Sequence, residues 1–599
     1  MKSNCFKNSS IIILLVITMF ITSCNEDMLD TKPLTEISDA AVWNDIVLAE
    51  AFVNEIYLNL EIRFQYVMNA AYVDEVYSKK DVDNFNRSLM TPDNSGGWIN
   101  DYSDGNRKSW AFVYKRIRSC NLFLEKIDEL KTDDNNRKER LKGEVIFLRA
   151  WYYHVLTSHY GGVPLITKVF VIDDNFDIAR DTYSDCIKFI VDECDKAAAL
   201  LPMKHTGDNL GRATKGAALA LKSRVLLYAA SDLHNTKVFP EYSNPELIGY
   251  IDENRTGRWK AAKDAAKAVI DMGIYSLYKG NPSSTENVSE NFKELFTSMG
   301  NTEDIFLRYF SITSNRNQLG LYNFSNGYNG WGGNNPLGQM VDEYEMADGT
   351  RFDWNNPKHA AEPYKNREPR FYATILYEGA KFRQRPADLR DVDPIGIMQF
   401  GAYEKWNFQN DTKYITYGLE SQKSPFQPGK ASFTGYMLLK FLDPEVDGQF
   451  EPDDIPVRYI RYGEVLLNYV EACIELGEDQ EARTYLNMIR RRAALPDVVE
   501  SGDKLRQRYR HERRIELAFE EHRFHDVRRW VIGSTAYTDN WGVDIVYKLN
   551  TDTKETATIP EITPKVFFRA EWNNKMYFFP ILRAEMNKGP MLIQNPGYN

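Results

Sequence analysis

The chain has 599 residues, 43% hydrophobic and 27% charged, which suffices for an ordinary globular interior and excludes extended disorder over most of its length. A formal net charge of −11 excludes a nucleic-acid phosphate backbone as the main partner and disfavours strongly anionic cargo, unless a local basic pocket overrides it. Aromatic residues reach 13%, with 35 Tyr and 11 Trp, and the excess over core needs points to a surface that stacks against something.

At the N-terminus, Lys2 and Lys7 precede an apolar run over residues 11–21. That run is long enough for a signal-peptide core and too short to span a bilayer. It ends in Ile21-Thr22-Ser23-Cys24, which resembles the lipobox of bacterial lipoproteins. Residues 1–23 are therefore expected to be a signal peptide, Cys24 the acylated first residue of the mature chain, and residues 24–45 an extended tether. Each buried lipid methylene adds ~0.8 kcal/mol of membrane affinity, so more than one acyl chain anchors durably. No other run approaches the roughly 20 apolar residues of a spanning helix. Asn25-Glu26-Asp27 resembles a surface-export signal, so the expected location is the outer membrane, lipid-anchored and exposed at the cell surface. Of the six cysteines, Cys120, Cys186, Cys194 and Cys473 fall inside helix-like apolar patterns and read as small buried hydrophobes.

Helical spacing dominates residues 46–274. Ile117, Cys120, Leu124 and Ile127 share one face of a predicted helix over 107–131. Leu141, Val145, Leu148, Tyr152 and Val155 share a face of the next, which stops at Gly161-Gly162-Val163-Pro164. Further helices are predicted over 182–201, 214–233 and 259–272. Residues 275–457 lose this period, and Gly, Asn, Pro and aromatic residues become dense, most of all over 322–336. Helical spacing returns over 459–492, where Leu466, Tyr469, Ala472 and Leu476 lead to Gly477 and then to Ala482, Leu486 and Ile489, as in a degenerate tetratricopeptide unit. The expected fold is mainly α. It comprises a tetratricopeptide-like scaffold of helical hairpins, a long irregular insertion, and a C-terminal helical part with tail (458–599) that packs on the N-terminal helices as one globular unit.

Several segments stand out: Gly143-Glu144 with Phe147-Leu148-Arg149-Ala150, Tyr160 through Leu165, and Asn366-Arg367-Glu368-Pro369-Arg370-Phe371. Ile460-Arg461-Tyr462 with Glu464 through Leu467 follows, then Glu512 through Leu517 with Glu521, Arg523, Asp526 and Arg529-Trp530, and finally Gln594 through Tyr598. Together they resemble the SusD/RagB family of outer-membrane nutrient-binding lipoproteins, and the resemblance covers essentially the whole chain. Glu368 replaces the family's usual Asp, and Gly463, Glu521 and Leu582 depart from its usual Ala, Gly and Pro. The resemblance implies a tetratricopeptide-like frame, an irregular ligand-binding half and a partner, a SusC-like TonB-dependent transporter over which the lipoprotein closes.

Neutral sugars are held by aromatic platforms on their C–H faces and by Asn, Asp, Arg or Lys groups on their hydroxyls. Two loops have that composition, and in this family the ligand arc draws on loops at about these places. Residues 74–110 contain Asp74, Arg87, Trp98 and Asn100; residues 322–336 contain Tyr322, Tyr328 and Trp331. Trp98 and Trp331 are the leading expected platforms, and glycines on both sides of Trp331 cannot shield it. His522 and His525 stand three apart beside Asp526 and Glu521, but five nearby arginines disfavour a cation and favour an ionic network between helices. No Walker-type loop, HExxH or GxSxG occurs, no cofactor is implied, and no ligand spacing supports a bound Ca²⁺ in the acidic loops. The expectation is a non-enzymatic glycan-capture protein. Capture of oligopeptides within the same family and a surface glycoside hydrolase are the rival readings.

Overall fold

The computed structural model describes residues 42–61, 66–80, 82–98, 106–130, 136–313, 317–446 and 453–598. Cys24, the signal segment and most of the tether lie outside them, as does Asn100. Eleven helices of eight or more residues occur among the described residues. They are α1 (Ile46–Leu58), α2 (Trp110–Lys126), α3 (Arg137–Tyr160), α4 (Tyr183–Leu200), α5 (Lys215–Ala230), α6 (Arg255–Ile270), α7 (Val288–Thr297), α8 (Tyr462–Glu475), α9 (Asp479–Arg492), α10 (Gly502–Glu516) and α11 (His522–Arg529). None is long and apolar enough to cross a membrane.

Side-chain caps start several of these helices. Thr182 Oγ1 accepts from Asp185 N at 3.1 Å to begin α4, and Thr214 and Asn254 do the same for α5 and α6. Consecutive helices α2 to α6 pack side by side as antiparallel hairpins, and α8, nearly two hundred residues after α6, docks on both α6 and α5. Arg224 of α5 seals that joint with a buried two-pronged contact to Glu464 of α8, at 2.7 and 2.6 Å. α3 departs from the one-faced pattern: from Gly143 onward it buries residues on nearly every side, because α1, α2 and α4 surround it. Its abrupt end is steric. A Cβ on Gly162 would lie 2.2 Å from the Asp181 carbonyl, and Gly161 sits at φ +78°.

Among the described residues, ten short strands complete the fold: β1 (Val76–Ser78), β2 (Asp304–Arg308), β3 (Asn334–Pro336), β4 (Ile375–Leu376), β5 (Ala402–Asn407), β6 (Thr412–Tyr417), β7 (Met437–Leu438), β8 (Val457–Arg461), β9 (Asp539–Tyr547) and β10 (Glu561–Arg569). They stitch the irregular insertion to the helices at both ends. β1 pairs with β3 in antiparallel register, Tyr77 opposite Asn335, so the loop over 322–336 is fixed against the N-terminal part. β2 pairs with β8 at the base of the insertion. The four-stranded sheet runs in the order β10-β9-β5-β6, taking two strands from the insertion and two from the C-terminal part. Residues 539–569, expected within a helical C-terminal part, therefore form a β-hairpin that belongs to the insertion's sheet.

Acidic and basic residues of α10 and α11 join others in a buried ionic lattice. Arg370 reaches Glu368 (2.7 Å), Glu512 (2.6 Å) and Glu516 (3.1 Å); Arg461 reaches Glu303 (2.9 Å), Glu516 (2.8 Å) and Glu520 (2.7 Å). Arg513 and Arg529 share Asp526, at 2.9 and 2.7 Å. Cys120, Cys186, Cys194 and Cys473 are buried free thiols.

Candidate functional site

The loop over 322–336 is a compact knot of backbone hydrogen bonds. Trp331 N donates to Leu321 O (2.8 Å), Gly332 N to Phe324 O (2.9 Å) and Gly333 N to Tyr322 O (2.7 Å). Its asparagines hold backbone and one another: Asn334 Oδ1 accepts from Met68 N (3.2 Å), and Asn335 Oδ1 accepts from Phe433 N (3.0 Å). Such a loop is stiff, so whatever it presents is presented in a fixed orientation.

It presents Trp331, half-buried, in a cluster of three rings. Trp331 meets Tyr66 edge-on at 5.6 Å and Tyr322 at 5.5 Å, and Tyr66 lies 5.8 Å from Tyr322. Tyr322 is anchored by its hydroxyl, which donates to Gln318 Oε1 at 2.7 Å. The Lys80 ammonium stands 5.3 Å over the Tyr66 ring. Beside this cluster, Lys79 Nζ donates to the Gly429 carbonyl at 3.3 Å and lies 5.6 Å over Phe433. Phe433 in turn contacts Tyr77 (5.2 Å), and Tyr77 contacts Phe567 of β10 (5.1 Å). Tyr77, Phe433 and Phe567 form one wall of an open cleft of about 550 Å³, floored by residues of β5 and β9. Lys80 thus stands over one aromatic group and Lys79 over the other. Burial alone pushes the Lys79 ammonium down to about 7.

The structure separates the expected site residues. Trp331 and Tyr322 come together at the surface cluster. Trp98 does not: it is 1% exposed, stacked on Phe524 (5.2 Å) and Phe85 (5.9 Å) and met edge-on by Phe579 (4.9 Å). The expectation of a platform at Trp98 is therefore corrected. Its covering rings arrive from α11 and from the C-terminal segment, which close over the loop. Tyr328 is likewise 1% exposed; its hydroxyl donates to Arg383 O (2.8 Å) and the Arg385 guanidinium packs 4.4 Å from its ring. Asp74 is 5% exposed and gripped by Arg523 through both oxygens (2.9 and 2.8 Å) and by Arg514 (3.1 Å). Burial would raise its carboxyl, but those guanidiniums outweigh it and hold the group down at about 2. Tyr328 and Asp74 are thus structural, committed to partners inside the fold. Arg87 is exposed but leans 5.1 Å over Phe568 of β10, and no described contact joins it to the ring cluster.

Tyr66, Lys79, Lys80, Tyr77 and Phe433 were not anticipated. None has the glycine-flanked setting of Trp331; pairing between β1 and β3 brings Tyr77, Lys79 and Lys80 toward it, and the Met68 N bond to Asn334 Oδ1 brings Tyr66. The usable sequence signal was the aromatic and basic run Val76-Tyr77-Ser78-Lys79-Lys80.

Two family models match the chain: one described as "SusD family" over residues 298–598, the other as "Starch-binding associating with outer membrane" over residues 27–227. A SusD-like protein of Formosa agariphila is 23% identical over 546 residues, covering 88% of this chain and 92% of its own. Among solved structures, a SusD-like protein from Bacteroides fragilis is 29% identical with a TM-score of 0.73, covering 95% of this chain and 100% of that one. A SusD-like carbohydrate binding protein from the same organism is 25% identical with a TM-score of 0.68, covering 92% and 99%. The first of these family models spans half the chain, and the relatives align with it almost end to end: the chain belongs to the SusD family.

Proposed function

We propose that the protein captures a glycan at the cell surface without cleaving it, and hands it to a SusC-like TonB-dependent transporter in the outer membrane. The observation that carries this reading is the half-buried Trp331, held by a stiff loop in contact with Tyr66 and Tyr322 beside an aromatic-walled cleft. An indole offers a sugar's C–H face a flat apolar surface, and the hydroxyls around the ring need only a few polar neighbours. A SusD-like relative described as carbohydrate binding, 25% identical, supports the ligand class. Acylation at Cys24 would tether the protein beside the transporter, where a high effective concentration compensates for modest affinity.

The cleft's carboxylates argue against the hydrolase reading. Glu420 is engaged by Arg385 (2.5 Å) and Asp544 by Lys565 (2.9 Å), which leaves neither poised as a general acid or base. Isothermal titration against a panel of oligosaccharides, with oligopeptides as a parallel arm, tests the reading. Trp331→Ala is expected to weaken glycan binding about tenfold, equivalent to ~1.4 kcal/mol. Wild-type binding of peptides alone, or an unchanged affinity in the variant, overturns it.

A further inference from the structure

We propose that this site takes an anionic glycan, one whose sugars carry carboxylate or sulfate groups, and that Lys79 is the residue that selects it. The proposal rests on the glycan reading and deepens it. Lys79 follows β1 directly and projects between the two aromatic groups. Its Nζ touches the Gly429 carbonyl (3.3 Å), stands over Phe433 (5.6 Å) and lies 3.3 Å from where a Cβ on Gly332 would be. No carboxylate pairs with it among the described residues, and burial is the one resolved influence on its titration. The charged side chains beside it are Lys80, next to it in sequence, and Lys430 in the facing loop, with Asp83 close enough to act on Tyr77; residues 329–336 carry none, and Asp81 lies outside the described residues. Elsewhere along the cleft, Asp544 and Glu420 are already neutralised by Lys565 and Arg385.

A partly desolvated ammonium without a counter-ion is costly, and an anion is the partner that offsets that cost most fully. Sugar hydroxyls can accept from Nζ, as the Gly429 carbonyl does, but they bring no opposing charge. A second lysine, Lys80, stands over Tyr66 in the ring cluster.

The test is calorimetry of the whole mature protein with three probes of similar length: a neutral glucan, an oligogalacturonate and a sulfated galactan oligosaccharide. At least one charged probe is expected to bind about tenfold tighter than the neutral one, with affinity falling as salt rises from about 50 to 300 mM. The arm that binds assigns carboxylate or sulfate. Lys79→Met should lower the charged-probe affinity about tenfold and the neutral-probe affinity by clearly less, since a neutral sugar loses only a hydrogen bond, while Lys79→Arg restores the charged-probe affinity. Charged-probe affinity should also fall as pH rises through about 7, where the Lys79 ammonium discharges. The salt dependence needs no variant, so it decides even if Lys79→Met folds poorly. Neutral binding as tight as charged binding, lost in Trp331→Ala, overturns the anion proposal and keeps the glycan reading. Absence of binding by all three probes, or indifference to Trp331→Ala, overturns both.

Discussion

Gly333 decides where Tyr66 can stand. A Cβ on Gly333 would lie 2.3 Å from the Tyr66 ring, so Gly333→Ala must push that ring off its contact with Trp331. Glycan affinity is expected to drop in this variant by titration, with a lowered thermal midpoint as well, because the same Cβ would lie 2.8 Å from the Tyr322 carbonyl oxygen. Trp98→Ala should behave in the opposite way. Removing an indole stacked between Phe524 and Phe85 is expected to lower the denaturant unfolding free energy by about 3–5 kcal/mol. Ligand affinity in the folded fraction should be unchanged. The two tryptophans also show what was legible in single residues. Glycines around Trp331 cannot cover it, and that is a local fact of the sequence. Trp98 is covered by Phe524 and Phe579, more than four hundred residues away, and no local pattern announces them. Glu521 is a third case: it holds φ +73° where its family usually has Gly, and its carboxylate recovers part of that strain by accepting from Asn69 N at 2.8 Å.

At the scale of elements, α10 carries the ionic lattice and β1 carries the site. Glu516 of α10 is ion-paired with three buried guanidiniums, those of Arg461, Arg370 and Arg492. Burial favours its protonated form, but those charges outweigh burial and hold the carboxyl far below its usual range. Glu516→Gln keeps the shape and removes the charge, and equilibrium denaturation should show a loss of about 3–5 kcal/mol. Glu75, next to β1, is the reverse. Burial, aided by neighbouring Asp74, pushes it up to about 8, so the folded protein keeps it protonated. A group raised on folding stabilises fully below its unfolded value near 4.5 and loses that contribution as pH rises toward about 8. Wild type should therefore lose up to ~1.4 kcal/mol per pH unit relative to Glu75→Gln across that window. Unfolding curves that stay parallel from pH 5 to 8 would refute this. The long helices were legible from their 3.6-residue period and their caps. The β9–β10 hairpin was not, because β10 is exposed along most of its length, adjacent Gly542 and Val543 of β9 are both buried, and its partner strand β5 lies over a hundred residues upstream.

For the whole molecule, the central fact is the joint between α6 and α8. The helices before residue 275 and those after residue 457 form one packed array, with the Arg224–Glu464 pair buried where they meet. A fragment ending at residue 274 should accordingly show no cooperative thermal transition by circular dichroism, since its last hairpin keeps an uncovered apolar face. A sharp transition in that fragment would mean that the first five hairpin helices suffice alone. The insertion's placement was readable as a loss of period, but its dependence on strands from both ends was not, since each strand is two to nine residues long.

That joint has a consequence for biogenesis. A polypeptide emerging from its N-terminus makes about three-quarters of its length before Glu464 and the rest of α8 and α9 can shut the array, so for most of its synthesis it offers sticky, half-finished surface to its surroundings. Such a chain depends on holdase-type escorts until its final quarter appears, and a premature stop there yields a product that aggregates rather than a smaller working one.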